Sequence, residues 1–281
     1  RFTLADNVSK ILKYNNPNRR LNDYYEGQTL GEIWGMVTDG FFISDHQIRT
    51  SADQSLFSST ASGVWRPGDI KFTDLNNDGS INHGENTVDS PGDRKVIGNS
   101  RPRYIFGVNL GGDWNNFFVN AFLQGVGKQD WYPSRGANTF WGQYNAPYGH
   151  PPVSQIGNIW SEENPNAYFP RYTGYLAWAS GGTLREVQTR YLQNVAYVRL
   201  KNIQVGYSLP SDVSSKIGAD KVQVYFSGEN LFTYSPFYDI TTDIDVENIG
   251  SSDQDLGDSN YGDGFNYPIM KSLSLGLTLT F

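Results

Sequence analysis

Residues 74–85 have the types and the spacing of a calcium-binding loop. They match the pattern D-x-[DN]-x-[DN]-G-x5-E without a gap. Calcium prefers six to eight oxygen ligands, and in a tight loop every second side chain can point inward. Gly79 permits the sharp turn that this arrangement needs. The predicted calcium ligands are the side chains of Asp74, Asn76 and Asp78, the backbone carbonyl of Ser80, Asn82 acting through a water, and a bidentate Glu85.

The sequences on either side of this loop are not amphipathic helices, so the loop is not part of an EF-hand. A structural calcium ion is therefore expected rather than a calcium sensor. The same residues could instead form a metal-free turn, in which Asp and Asn side chains accept hydrogen bonds from the backbone. Agreement along the whole template favours the metal, and both interpretations remain open at this point.

No other part of the sequence has the arrangement of a catalytic site. The three histidines, His46, His83 and His150, lie in predicted loops without a nucleophile motif or metal-ligand spacing. Cysteine is absent, which excludes disulfides, thiolate metal sites and a cysteine nucleophile. The net charge of −7 argues against nucleic acid as a partner. We therefore expect a protein that is not an enzyme.

A second group of acidic side chains lies towards the C-terminus. Residues 233–268 contain eight Asp or Glu residues and no Lys or Arg. Asp243, Asp245 and Glu247 alternate with other residues and could together hold a cation. A solvated acidic rim is the favoured interpretation, because charge runs are usually exposed to water.

The elements that position these loops are predicted to be β-strands. Aromatic residues make up 15% of the chain and charged residues 18%, with 30 Gly and 13 Pro, which is typical of an all-β protein. From Leu273 to Phe281, apolar residues alternate strictly with Ser, Thr and Gly at the period of a strand. Such a strand can face a protein core or, in a transmembrane barrel, lipid. The final Phe281 resembles the end of outer-membrane β-barrel proteins.

Six antiparallel strands are predicted, joined alternately by short and long connections. The connections at 113–115 and 210–219 are short, and those at 15–100, 128–193 and 233–268 are long. This alternation is typical of outer-membrane barrels, whose short turns face the periplasm and whose long loops are extracellular. The apolar positions change parity after Leu200, which predicts a β-bulge near Lys201 and Asn202. The predicted strands are residues 1–14, 101–112, 116–127, 194–209, 220–232 and 269–281.

Several segments, spread over nearly the whole chain, resemble motifs of SusC-type TonB-dependent transporters and follow the order of that family. They are Glu26–Gly27 with Gly31, Trp34–Gly35 and Asp39–Phe41; Pro67–Phe72 with Asp74–Gly79 and Ile97–Gly98; Gln124–Gly125 with Gly127; Tyr197–Ile203 with Gly206–Pro210; and Asn230–Phe232.

The resemblance implies an outer-membrane barrel of 22 strands with a plugged lumen, which also agrees with the known barrel classes. Residues 1–281 would then be the C-terminal portion of that barrel, without the plug, the TonB box or an N-terminal domain. The resemblance further implies that the complete transporter imports oligosaccharides or peptides with energy from TonB and works under a SusD-like lipoprotein lid. The implied partners are the remaining barrel strands and plug, that lipoprotein, the TonB complex, outer-membrane lipid and the substrate. The C-terminus would be periplasmic, and the calcium loop would lie outside.

The connection at 128–193 is expected to contribute contacts to the substrate or the lipoprotein lid. Its aromatic residues could stack on sugar rings, although most should pack the loop on itself. Trp131, Trp141 and Tyr144 are the predicted contacts. The alternative function is a secreted, calcium-dependent β-sandwich that binds carbohydrate, in which the apolar strand faces would be covered by a second sheet.

Overall fold

The protein is built around one antiparallel sheet of six strands. The computed structural model describes residues 1–57, 64–174, 178, 181–250, 267 and 269–281. Within these residues the strands run in the order β1-β6-β7-β10-β11-β12, and three two-stranded sheets, β2-β5, β3-β4 and β8-β9, form in the connections. The strands are β1 Phe2–Ala5, β2 Glu32–Met36, β3 Thr38–Phe41, β4 Ile70–Phe72, β5 Arg94–Asn99, β6 Arg103–Trp114, β7 Phe117–Lys128, β8 Asp130–Trp131, β9 Gln193–Asn194, β10 Tyr197–Ser208, β11 Lys221–Tyr234 and β12 Ser272–Thr280.

Among the described residues, helices are short and lie in the connections. The α-helices are α1 Asp45–Thr50, α2 Asn138–Trp141 and α3 Ser211–Ser214. Short 3₁₀ helices occupy Gly142–Tyr144, Val153–Gln155, Thr189–Tyr191, Ser215–Ile217, Pro236–Asp239 and Val246–Asn248. In the described part of the chain, none of the helices has the length and apolar character required to cross a membrane.

The predicted all-β class and the order of the main strands are confirmed. Five of the six predicted strands differ from β6, β7, β10, β11 and β12 by at most a few residues at each end. The first strand is shorter than predicted, because it ends at Ala5 rather than residue 14. Beyond Ala5, Asp6 forms an ion pair with Arg103. Ile11 then exchanges backbone hydrogen bonds with the 27–28 turn instead of with β6, so the chain leaves the sheet.

The β-bulge predicted in the fourth main strand is present. Within the described sheet, Leu200 pairs with Leu123 and Asn202 pairs with Phe122, which leaves Lys201 without a partner on β7. The register also shifts at this position against β11. The extra residue reverses the parity of the strand, so the apolar residues before and after Lys201 remain on one face.

One face of the sheet is apolar and exposed. The register places Leu275 beside Phe226 and Leu277 beside Val224, and it continues these rows through β10 and β7. The leucines of β12 are between 44 and 80% exposed. No described element covers them, whereas an apolar sheet face in a soluble protein is normally buried.

The opposite face of the sheet is mostly polar. Its rows contain Gln124, Asn120 and Gln204, and on β12 Ser274 and Thr278, together with Phe118 and Phe122 of β7.

Gly276 is required on that polar face, because a Cβ atom at this position would collide with the ring of Tyr225. The ring of Tyr225 therefore lies directly over the backbone of β12 at Gly276, its partner residue in the sheet.

The hydrophobic core lies in the connections rather than on the sheet. Its fully buried members include Met36 and Ile70 from the first long connection, Phe140 and Phe169 from the second, and Phe237 from the third. The short turn between β6 and β7 consists of Asn115 and Asn116, both with positive φ, as a two-residue hairpin turn requires. Long packed loops therefore lie at one end of the strands and short turns at the other.

Candidate functional site

The predicted calcium loop is a tight turn in which carboxylate and amide oxygens point inward. Asp74 Oδ1 accepts a hydrogen bond from Asn77 N at 2.7 Å, and Asp74 Oδ2 accepts one from Gly79 N at 2.8 Å. Asp78 Oδ1 accepts one from Ser80 N at 2.8 Å. Asn77 and Gly79 both have positive φ, which bends the backbone around these oxygens. Each oxygen keeps a second lone pair that a cation could use.

A buried aspartate that the sequence motif did not include holds the two ends of this loop together. Asp93 is fully buried. Its Oδ1 accepts a hydrogen bond from Leu75 N and its Oδ2 one from Asn82 N, both at 2.8 Å. The Pro91-Gly92-Asp93 turn was the only sequence signal for this role, and such turns are too common to identify one.

The six predicted ligands are only partly brought together. Asn76 donates a hydrogen bond to Asp78 Oδ2 at 2.8 Å, so the first half of the loop forms one cluster. Glu85 lies in a separate turn, in which its N–H bonds to the Ser90 carbonyl. Across the described residues, no three His, Cys, Asp or Glu side chains are grouped closely enough to hold a metal ion. Calcium binding therefore stays a prediction, with Asp74, Asn76, Asp78 and the Ser80 carbonyl as its best-placed ligands.

The electrostatics of the loop favour ionised carboxylates. The hydrogen bonds from the Asn76 amide and from Ser80 N hold the pKa of Asp78 below its usual value. The carboxylate form is the one that binds a cation.

The three aromatic residues predicted to touch substrate or lipoprotein lid are buried in the loop core. Trp131, Trp141 and Tyr144 are 4, 0 and 0% exposed. Trp141 donates its indole N–H to the Ser134 carbonyl at 2.9 Å, and its ring packs at right angles to Phe140. Tyr144 donates to the Pro170 carbonyl, and burial raises the pKa of its hydroxyl above the ordinary value. In this structure the three side chains fold the loop on itself, and their direct contact with substrate or lipoprotein lid stays a prediction.

Two acidic residues after β11, Asp245 and Glu247, pair with basic side chains, whereas Asp239 and Asp243 are exposed to solvent. Arg199 Nη2 lies 2.6 Å from Asp245 Oδ1, and Arg199 Nη1 lies 2.5 Å from Glu247 Oε2. Lys201 Nζ lies 2.9 Å from Glu247 Oε1. The alternative of a cation bound by Asp243, Asp245 and Glu247 is therefore not needed to balance these charges. Four further acidic residues of the 233–268 run, at 253, 255, 258 and 263, lie outside the described residues.

The surface of the loop layer contains an open cleft of about 520 Å³. It lies between the second long connection and the segment after β11, and it is lined by Asn138, His150, Pro152 and Asp243 among others. His150 has no role in a metal cluster or nucleophile pair in the described residues. The cleft is open to solvent, and its lining also includes apolar residues such as Pro151 and Val153.

No family model matches the sequence. Curated relatives are nevertheless found over most of the chain. The chain is 28% identical over 260 residues to TonB-dependent receptor P3 of Formosa agariphila, a match that covers 91% of this chain and 22% of the relative. It is 28% identical over 229 residues to TonB-dependent receptor P26 of the same organism, covering 79% of this chain and 21% of the relative. TonB-dependent receptor P39 is 24% identical over 287 residues.

Solved structures share the fold. The structure described as the RagAB peptide transporter aligns with a TM-score of 0.56 at 18% identity, covering 96% of this chain and 25% of that chain. The RagAB peptide importer in its closed-closed state aligns with a TM-score of 0.53 at 17% identity. The predicted resemblance to TonB-dependent transporters is confirmed, and the chain spans about a fifth to a quarter of the length of these relatives.

Proposed function

We propose that this chain, a relative of TonB-dependent receptors, forms part of the wall and the outer loops of an outer-membrane transporter that imports nutrients. The similarity to three TonB-dependent receptors supports this class of protein. The similarity of fold to a peptide transporter supports the same architecture. Neither the sequence relatives nor the loops suggest an enzyme.

The exposed apolar face of the sheet is the observation that carries this proposal. The ten residue steps from Tyr104 to Trp114 on β6 span roughly 25 Å along the membrane normal, if the strand rises about 3.3 Å per residue and is tilted by about 40°. That length equals the apolar band of outer-membrane barrels, about 25 Å.

Aromatic side chains lie near both ends of this band. Trp114, Phe117 and Tyr207 occupy neighbouring positions at the short-turn end, and the rings of Phe117 and Tyr207 are 4.8 Å apart. Phe232 and Tyr234 lie at the loop end and are more than half exposed. Two aromatic girdles that flank an aliphatic band are typical of membrane barrels.

The orientation follows from the lengths of the connections. The short turns after β6 and β10 would face the periplasm, and the packed loop layer would face outward. The loop layer would contact the substrate, an oligosaccharide or a peptide, and a SusD-like lipoprotein. A calcium ion in the loop at 74–85 would stiffen this layer. The rest of the transporter would supply the plug and the contact with TonB.

The alternative of a secreted β-sandwich is not favoured. A sandwich buries its apolar faces between two sheets about 10 Å apart. In the described residues the small sheets β2-β5, β3-β4 and β8-β9 belong to the loop layer, and the leucines of β12 remain exposed.

Fractionation of cells that express the complete protein tests the proposal. We expect the protein in the outer-membrane fraction, released only by detergent, and resistant to unfolding by sodium dodecyl sulfate until the sample is heated. A protein that remains in solution without detergent would contradict the assignment of the apolar face to lipid.

A further inference from the structure

The segment that follows β11 crosses the polar face of the sheet. We call residues 235–250 the strap. Arg199 pairs with Gln124 on β7 and with Thr233 on β11, which places it in the polar rows of the sheet. Its guanidinium group contacts Asp245 and Glu247 of the strap, so the strap must lie over that polar face.

Four charged side chains, Arg199, Lys201, Asp245 and Glu247, join the strap to the sheet, and we call them the charge cluster. Arg199 is only 3% exposed, and its Nε also donates a hydrogen bond to Thr233 Oγ1 at 2.7 Å. Lys201, the extra residue of the bulge, donates to both carboxylate oxygens of Glu247. Charges that are this well shielded from water require partners, because an unpaired buried charge is costly.

Asp245 also organises the strap itself. Its Oδ1 accepts a hydrogen bond from Glu247 N at 3.0 Å, which begins the turn at Val246–Asn248. Its Oδ2 accepts a longer hydrogen bond, 3.4 Å, from Ile269 N just before β12. One carboxylate therefore connects the strap, strand β10 and the start of β12.

The other side of the strap packs into the core of the loop layer. Phe237 meets the ring of Trp131 edge-on at 5.6 Å and stacks on Phe140. Val246 and Ile249 are buried in the same cluster. The strap is thus held between the charge cluster on the sheet and an apolar core above it.

We propose that the charge cluster fixes the strap as a wall of the substrate entrance, and that Arg199 and Lys201 are positioning residues for transport. This rests on the proposed function, because the polar face lines an entrance only if the sheet is part of a barrel. The cluster holds the strap over the polar face. Loss of the cluster would let the strap move away from that face, which would widen the proposed entrance beside Asn202.

The first test is proteolysis of intact cells that express the complete transporter. Phe237 and Tyr238 in the strap are chymotrypsin sites, and Phe237 is buried. We expect Arg199→Met to increase cleavage at these two residues at least tenfold and Arg199→Lys to increase it less. Arg19→Met is the matched control, since its ion pair with Asp89 is exposed and lies far along the chain. Unchanged cleavage in Arg199→Met would overturn the role of the cluster.

The second test measures how far the polar face beside the cluster is open to molecules from outside. The chain contains no cysteine, so Asn202→Cys supplies a single thiol on the polar face next to the cluster, provided that any cysteine in the rest of the complete transporter is first replaced by serine. The thiol is labelled from outside the cell with two reagents. One is a small maleimide, and the other is a maleimide that carries a polyethylene glycol chain of about 5 kDa, which is much larger than a side chain.

We expect Arg199→Met to raise the ratio of large-probe to small-probe labelling about fivefold or more. An unchanged ratio would overturn the entrance role, and so would a thiol that neither probe reaches in either background. If Arg199→Met does not assemble, Lys201→Met and Glu247→Gln, which lie at the more exposed side of the cluster, are judged by the same ratio. Failure of the parent protein to reach the outer membrane would contradict the proposed function instead, so the two failures are distinguishable.

Discussion

At the scale of single residues, the aromatic side chains of the second long connection differ widely in burial. Trp141 is fully buried, whereas Tyr148 in the same connection is 91% exposed. Composition alone could not separate the two, because a packed loop core and a binding surface both use Trp and Tyr. The burial of each ring depends on long-range packing against residues such as Phe237, which the local sequence does not encode.

Replacement of Trp141 should therefore reduce stability much more than replacement of Tyr148. We expect Trp141→Ala to destabilise the loop layer by about 3–5 kcal/mol, the usual cost of removing a buried aromatic side chain. Tyr148→Ala should change stability by less than about 0.5 kcal/mol, as surface substitutions do. Protease resistance of the loop in the intact transporter measures both. Equal loss in the two variants would contradict the assignment of Trp141 to the core.

The calcium loop makes a second prediction at this scale. Asp74→Ala combined with Asp78→Ala removes both carboxylates that the first half of the loop brings together. If calcium binds there, the purified protein should lose one equivalent of calcium, and the outer loop should become easier to cleave. Asp89→Ala is the control, because Asp89 pairs with Arg19 outside the loop. The same calcium content in the parent protein, the double variant and the control would contradict calcium binding at this loop. The hydrogen bonds of Asp93 would then be sufficient to hold the turn.

At the scale of elements, the strands were predictable wherever the two faces differ in polarity. The alternation from Leu273 to Phe281 and the parity change at Lys201 each predicted a strand and the face of its side chains, because a period of two assigns every side chain to a face. The first strand was predicted too long, since the ion pair of Asp6 with Arg103 and the turn at 27–28 lie far apart in sequence. The strap was not predicted either, because its acidic residues find their partners on β10 only after the chain has folded.

The bulge at Lys201 can be tested by removing the extra residue. Deletion of Lys201 would bring Leu200 and Asn202 into direct succession, opposite the consecutive residues Leu123 and Phe122 of β7. The strand would then alternate regularly, and every side chain would keep its face, so we expect the deletion variant to assemble in the membrane. Lys201→Ala keeps the chain length and should also assemble. Failure of the deletion variant alone to assemble would contradict the assignment of Lys201 as the extra residue of the bulge.

At the scale of the whole molecule, the chain divides into a sheet without its own core and a loop layer with one. The sheet has an exposed apolar face and an exposed polar face, so its stability must come from surroundings on both sides. In the proposed barrel, lipid would contact the apolar face and the barrel interior would contact the polar face. The loop layer, by contrast, buries Met36, Phe169 and Phe237 in one cluster, which allows it to hold its shape above the strands.

A single charge on each face of β12 distinguishes lipid from any other environment. Leu275 and Ser274 are adjacent, lie on opposite faces and are both exposed in the isolated chain. Leu275→Asp would place a carboxylate in the apolar band, at a cost on the order of 2 kcal/mol, and should block membrane assembly of the complete transporter. Ser274→Asp adds the same charge beside Ser227 on the polar face, where water or polar groups can solvate it. Heat-dependent gel migration of outer-membrane fractions measures assembly of both. If both variants assemble equally well, β12 does not contact lipid through its leucines. A lipid environment on one face would make the charge at residue 275 much more costly than the charge at residue 274.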